Sequence, residues 1–179
     1  MASTWEPALH ELAGPRYARL VAHAAVLCGD RAAAEDLVQD ALVRTFSKPR
    51  RFASVPQAEQ YVRLAIASVF IDRTRRERRE RQLWSRAAGT LAVDGPSLSG
   101  VDTDTSRALL TLAPRVRACI VLRFLEDLST RDTAAALGLS EGAVKRYVAD
   151  GVRALAGELG VADVPDYTEH VPVGEGGGQ

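Results

Sequence analysis

Apolar residues recur every three or four positions along most of the chain, with no convincing stretch of the strict alternation that marks a half-buried strand. Leu9, Leu12, Leu20, Ala24 and Leu27 predict a first helix over about residues 8–28, stopped at Gly29. Asp30 can cap a second helix, about 31–47, whose Leu37, Val38, Ala41, Leu42 and Phe46 share one stripe until Pro49 ends it. Ser54 and Gln57 have capping-box spacing at the start of a third helix, and Pro56 suits its first turn. Tyr61, Leu64, Ala65, Ser68 and Ile71 give that helix a buried face. From Arg73 the apolar stripe stops, so the helix should run on to about Trp84 with little core to meet.

The pattern then lapses. AGTLAVDGPSLSGVDTDT, residues 88–105, is rich in Gly, Ser, Asp and Thr, the chemistry of a flexible linker. It resumes over 106–159. Ala108, Leu109, Leu112, Val116, Ile120, Val121 and Phe124 predict two short helices broken around Pro114, and residues 129–138 and 140–159 predict two more. The final segment, 160–179, is acidic and Gly-rich and is expected to be disordered. The fold class is therefore all-α: two small helical domains, 1–87 and 106–159, joined by a flexible linker.

Composition agrees, with scarce aromatics at 6% and an apolar set dominated by Ala and Leu. The longest apolar run, LAIASVFI (64–71), is far short of the ~18 residues that span a bilayer, so no membrane insertion is expected. MASTWEPALHEL has no basic segment before an apolar core, which points to a cytoplasmic protein. Cys28 and Cys119 make neither a metal set nor a disulfide framework, and the three histidines are scattered; no metal or other cofactor is expected. There is no Gly-rich phosphate loop or nucleophile elbow, so an enzyme is not expected. The net charge of zero hides a segregation: RTRRERRERQLWSR (73–86) carries seven arginines against two glutamates, whereas only acids follow Arg153.

Residues 129–148 have the logic of a helix-turn-helix. Ser129 can cap the first helix, Ala134 is small where a second helix must cross, and Gly138 suits a left-handed stop. Leu137, Leu139, Val144 and Val148 can pin the pair, and Ser140 can cap a second helix that presents Glu141, Lys145, Arg146 and Tyr147. Such a helix fits a major groove, with its first N–H groups on a phosphate. The alternative is a helical hairpin with a solvated Lys-Arg pair. From Ser129 to Leu159, however, Arg131, Lys145, Arg146 and Arg153 are offset by Asp132, Glu141, Asp150 and Glu158. A domain that neutralises so few phosphates should hold duplex weakly by itself.

Three segments in order resemble the bacterial RNA polymerase sigma factors of the extracytoplasmic-function class. GDRAAAEDLVQDALVRTF (29–46) is similar to their polymerase-docking segment, YVRLAIASVFIDRTRR (61–76) to their promoter-melting helix, and LAPRVRACIVLRFLEDLSTRDTAAALGLSEGAVKRYV (112–148) to their minus-thirty-five-reading domain. The resemblance implies a sigma region 2 over 1–87 and a helix-turn-helix region 4 over 106–159, with core RNA polymerase, promoter DNA and an anti-sigma factor as partners. It implies that Asp36, Gln39, Asp40 and Arg44 meet polymerase. Lys48, Arg50, Arg51, Arg63, Ser68, Asp72, Arg73, Arg75, Arg76 and Arg79 would serve the minus-ten element, with a flipped-base pocket around 63–68. Arg131, Ser140, Glu141, Ala143, Lys145, Arg146 and Tyr147 would serve the minus-thirty-five element.

Two departures stand out. Ser68 replaces the Asn that often stands four residues before Asp72, and Asp150 replaces a frequent basic residue; an acid there should lower the salt sensitivity of DNA binding. The linker, acidic at Asp94, Asp102 and Asp104, would run through the polymerase cleft or RNA path. The rival from another class is a stand-alone helix-turn-helix regulator that binds an operator as a dimer.

Overall fold

The computed structural model describes residues 5–48, 50–88 and 104–161. They form eight α-helices and one π-helical turn, with no strand among the described residues: α1 (Trp5–Ala13), α2 (Tyr17–Cys28), α3 (Arg31–Phe46), α4 (Val55–Ala88), α5 (Asp104–Thr111), α6 (Pro114–Ile120), the π turn (Val121–Leu125), α7 (Thr130–Leu137) and α8 (Glu141–Leu159). The expected linker and acidic tail lie almost wholly outside the described residues.

The stops and starts follow local chemistry. Gly29, at φ 77°, ends α2, and the Asp30 carboxylate accepts the Ala33 N–H at 2.8 Å to start α3. Ser54 Oγ accepts from the Gln57 N–H at 3.3 Å, while the Gln57 side chain reaches back to the Ala53 N–H at 2.7 Å. One expectation fails: the single helix over 8–28 is two, broken at Gly14–Arg16. Pro15 has no N–H to extend α1 and bars the helical conformation at Gly14, so the chain turns and restarts at Tyr17. Asp104, assigned above to the linker, is instead the first residue of α5 and pairs with Arg107 at 2.6 Å.

Helices α1–α4 surround Leu12, Leu20, Leu27, Leu37, Val38, Val62 and Ile66, all essentially excluded from solvent. As the stripe predicted, α4 leaves this core after Ile71, and Arg75–Trp84 are exposed. Helices α5–α8 build a smaller core from Leu109, Leu112, Cys119, Ile120, Ala134, Val144 and Val148. At Gly151 α8 comes so close to α6 that a Cβ would stand 2.7 Å from Ile120 and 2.8 Å from Val116. The two blocks are not separate: Ala118, Val121, Leu122 and Leu128 of the second belong to the core of the first.

Candidate functional site

Three surfaces carry the candidate residues. The first is the outer face of α3. Asp36, Gln39, Asp40 and Arg44 are exposed there, as their spacing predicted, because Leu37, Val38, Ala41 and Leu42 turn the other side into the core. Two of them are tied to α4: Asp40 accepts from Arg73 at 2.6 Å, and Arg44 donates to Asp72 at 3.0 Å. Arg73 also donates to the Asp36 carbonyl at 3.3 Å. In their midst Val43 is 69% exposed. It sets one apolar side chain among the polar ones of this face. Val43 lies outside the apolar stripe of Leu37, Val38, Ala41, Leu42 and Phe46, so the spacing did not single it out.

The second surface runs from the α3–α4 connection along α4. Lys48, Arg50 and Arg51 are exposed on the connection, and Arg75, Arg76 and Arg79 on the α4 extension. Phe52 is buried within an aromatic series: Trp5, Phe46, Phe52 and Tyr61 follow one another at centroid separations of 6.3, 5.6 and 5.6 Å. Tyr61 ends it 43% exposed with the Arg50 guanidinium 5.0 Å from its ring centre. The periodicity put Tyr61 on the buried face; the ring instead forms the rim of a groove of about 580 Å³. Arg44, Arg50, Leu64, Ala65 and Ser68 line that groove from the first block, and Leu128, Asp132, Ala135 and Ala136 from the second. An exposed ring beside arginines can hold an unstacked base.

Arg63 does not join this face. It donates to Glu59 at 2.8 Å and to Glu126, across the blocks, also at 2.8 Å. Glu59 in turn receives Arg16 at 2.5 Å, and His23 Nδ1 lies 3.1 Å from the same Glu126 oxygen. Burial pushes the Glu126 carboxyl up, but the bonds from His23 and Arg63, and then their charges, outweigh it and hold the carboxyl below its ordinary range. Glu59 is treated alike: burial raises it, and Arg16 and Arg63 bring it below. Nearby, the buried Arg117 donates to the carbonyls of Leu110 at 2.8 Å and Leu112 at 2.9 Å, and also to that of Leu27. Its charge thereby answers the free C-terminal carbonyls of α2 and α5. Only Glu59–Arg63, four residues apart on α4, has a spacing that sequence can show; the cross-block pairings lie as far as 90 residues apart.

The third surface is α8. Ser129 Oγ accepts the Asp132 N–H at 3.0 Å and donates to its carboxylate at 2.6 Å; Ser140 Oγ accepts the Ala143 N–H at 3.2 Å. Gly138, at φ 62°, makes the turn between the helices. Arg131, Ser140, Glu141, Lys145 and Arg146 are exposed, with Ala143 and Tyr147 half-buried, and Arg146 lies 5.2 Å over the Tyr147 ring. Asp150 pairs with Arg153 at 3.3 Å, so the unexpected acid is partly neutralised within its own helix.

The cysteines take no part. Burial raises the pKa of both, Cys119 to about 12. Among the described residues no group of three or more His, Cys, Asp or Glu could hold a metal, and no helix is long and apolar enough to cross a membrane.

Against known proteins, the family description "Sigma-70 region 2" matches residues 15–80, and "Sigma-70, region 4" matches 104–155. The RNA polymerase sigma-E factor of Streptomyces avermitilis is 36% identical over 149 residues, 77% of each chain. The ECF RNA polymerase sigma factor SigL of Mycobacterium tuberculosis is 32% identical over 154 residues, covering 78% of this chain and 87% of the relative. Among solved structures, the sigma factor RpoE of Bartonella quintana, determined with the anti-sigma factor NepR, superimposes with a TM-score of 0.60 at 26% identity. It covers 86% of this chain and 96% of its own.

Proposed function

The chain belongs to the sigma-70 family as a sigma factor of the extracytoplasmic-function class that directs RNA polymerase to promoters, and we propose how its three surfaces divide that task. The exposed face of α3 docks on core polymerase. Val43 is the apolar centre of that contact, and Asp36, Gln39, Asp40 and Arg44 form its polar rim, the usual anatomy of a reversible interface. Residues 1–87 then serve the minus-ten element. Lys48, Arg50 and Arg51 take phosphates, and Arg75, Arg76 and Arg79 track the backbone. Tyr61 stacks an exposed base, and Ser68 and Asp72, on one side of α4, read its edge. Arg73 holds α3 to α4 and so aligns the polymerase and DNA faces.

Residues 106–159 serve the minus-thirty-five element. The N-terminus of α8 takes a phosphate on the Ser140 hydroxyl, beside Ala143 whose N–H the Ser140 Oγ already holds, and Glu141, Lys145, Arg146 and Tyr147 reach base edges, with Arg131 on the flanking backbone. The observation that carries this reading is the exposed, Ser-capped α8 on the same chain as the exposed α3 face. Balanced charge fits it as well: weak DNA contacts suffice once polymerase holds both blocks on one promoter. The dimeric operator-binding alternative is not favoured, because both sigma regions match in order. The relative solved with NepR supports an anti-sigma factor as a partner here. The site of action is the cytoplasm, with no cofactor and no catalytic step of its own.

The test is reconstitution with bacterial core polymerase, followed by transcription from a genomic promoter library. Co-elution with start sites sharing two spaced elements is the expected result. Duplex binding as a dimer, without co-elution, would refute the reading.

A further inference from the structure

Helix α1 lies outside residues 15–80, the span that the sigma-70 region 2 description matches. Its inward side is Trp5, Ala8 and Leu12, spaced by three and four residues, and Ala8 and Leu12 are buried in the core of the first block. They fix the helix, and the fixed helix carries the half-buried Trp5 to the end of α3, with its ring centre 6.3 Å from that of Phe46. Phe46 meets Phe52 edge-on at 5.6 Å, and Phe52 meets Tyr61 edge-on at 5.6 Å. Among the described residues of the α3–α4 connection, 47–54, Phe52 alone is buried. It is therefore the anchor of the segment that carries Lys48, Arg50 and Arg51.

Resting on the reading of Tyr61 as the platform for an exposed base, we propose that α1 belongs to the promoter-reading device. Trp5 is its positioning residue: through Phe46 and Phe52 it fixes where Tyr61 and Arg50 meet the minus-ten bases. Trp5 stands two rings removed from Tyr61, and its work is to fill the space behind Phe46. Without it Phe46 moves back into the gap, and Phe52 loses the edge contact that holds the Tyr61 ring at one tilt. The Arg50 guanidinium, 5.0 Å from the Tyr61 ring centre, shifts with the connection once that anchor slackens. A site that tells one base from another must hold its groups to a fraction of an ångström, whereas a site that merely attracts a strand tolerates looseness. Loss of Trp5 therefore lowers discrimination among bases more than it lowers the hold on DNA. The exposed Arg75, Arg76 and Arg79, farther along α4, keep their phosphates.

The test uses holoenzyme reconstituted from core polymerase and the full-length chain, as wild type, Trp5→Leu, Trp5→Phe and Tyr61→Leu. The probe is a fluorescein-labelled fork of promoter DNA whose minus-ten segment, mapped by transcription, is single-stranded and carries each base in turn at each position. Anisotropy reads the affinity for every version. Trp5→Leu should shrink the ratio between the preferred and the next base at one position about three- to tenfold, the worth of one ring contact, with affinity for core polymerase unchanged. Trp5→Phe should restore most of that ratio, because a ring again backs Phe46. Trp5→Met, closer to Trp in volume, takes the place of Trp5→Leu if the latter does not fold. An unchanged ratio in Trp5→Leu beside a reduced one in Tyr61→Leu would overturn the positioning role and leave Tyr61 as the platform. A loss of affinity equal for every base, which a merely structural role would give, would overturn it too. An unchanged ratio in Tyr61→Leu would overturn the platform reading and the inference with it.

Discussion

Helices α4 and α8 each carry a side proposed to read DNA, and only that of α8 is open to solvent. On α8 the outward positions are polar, so once Val144 and Val148 have turned inward nothing draws that side against the protein. On α4 the candidate reading side includes Leu64 and Ala65 among the polar positions, and the second block covers them. A promoter-melting face must be somewhat apolar to hold unstacked bases, and such a face will also attract whatever helix is nearest. The difference teaches that the same composition which suits a helix to single strands makes it sticky in their absence, and that a hydrophilic recognition helix needs no such cover.

The comparison can be broken most forcefully at the joint between the blocks. Arg117→Ala deprives three buried carbonyls of a charged donor and should cost roughly 3–5 kcal/mol, seen as a large drop in thermal midpoint. A surface-like change below ~0.5 kcal/mol would mean that the guanidinium does not join the blocks.

Next in size is Val43→Asp. It should weaken polymerase binding by about 2 kcal/mol or more, as loss of an interface anchor does, while leaving the melting curve almost unchanged. Equal polymerase affinity for variant and wild type in a titration would remove α3 from the interface.

The acid pair gives a pH signature. Glu59 and Glu126 sit below their ordinary values in the folded chain, so their contribution is present above the unfolded carboxylate pKa of about 4.3 and lost as pH falls through the depressed folded values. Stability of the packed blocks should hold from neutrality to about pH 5 and then decline. The difference between wild type and Glu126→Gln should shrink over the same acid range. A difference that stayed constant down to pH 3 would place the effect elsewhere.

The smallest change sharpens the open side of the comparison. Asp150→Asn should steepen the salt dependence of promoter binding by up to about one unit of logarithmic slope, since it frees Arg153 for phosphate. An unaltered slope would mean that α8 meets DNA only through its first two turns.

Much of the architecture was legible because it is written in local signals. Asp30, Ser54, Ser129 and Ser140 start helices where their spacing said they would, and Gly29 and Gly138 stop them. Which sides of α3 and α8 are exposed followed from periodicity, while the roles given to them were implied by the family resemblance. The break at Gly14–Arg16 is hidden from apolar spacing, which continues across it, and is marked only by Pro15. What the sequence could not show depends on distant partners. Arg63 looked like one more arginine on a basic helix, yet its partner Glu126 comes 63 residues later. Arg117 is answered by carbonyls, which leave no trace in residue identity. Tyr61 and Val43 are large apolar side chains left exposed, which residue type and spacing do not reveal.

The most direct measurement is energy transfer between dyes at Glu80 on α4 and Ala154 on α8, first in the free chain and then bound to core polymerase and promoter. The account predicts high transfer in the free chain and a clear fall in the promoter complex, as the two reading faces separate to span two elements. The same transfer in both states would contradict it, because one fixed arrangement would then serve both the resting and the promoter-bound factor.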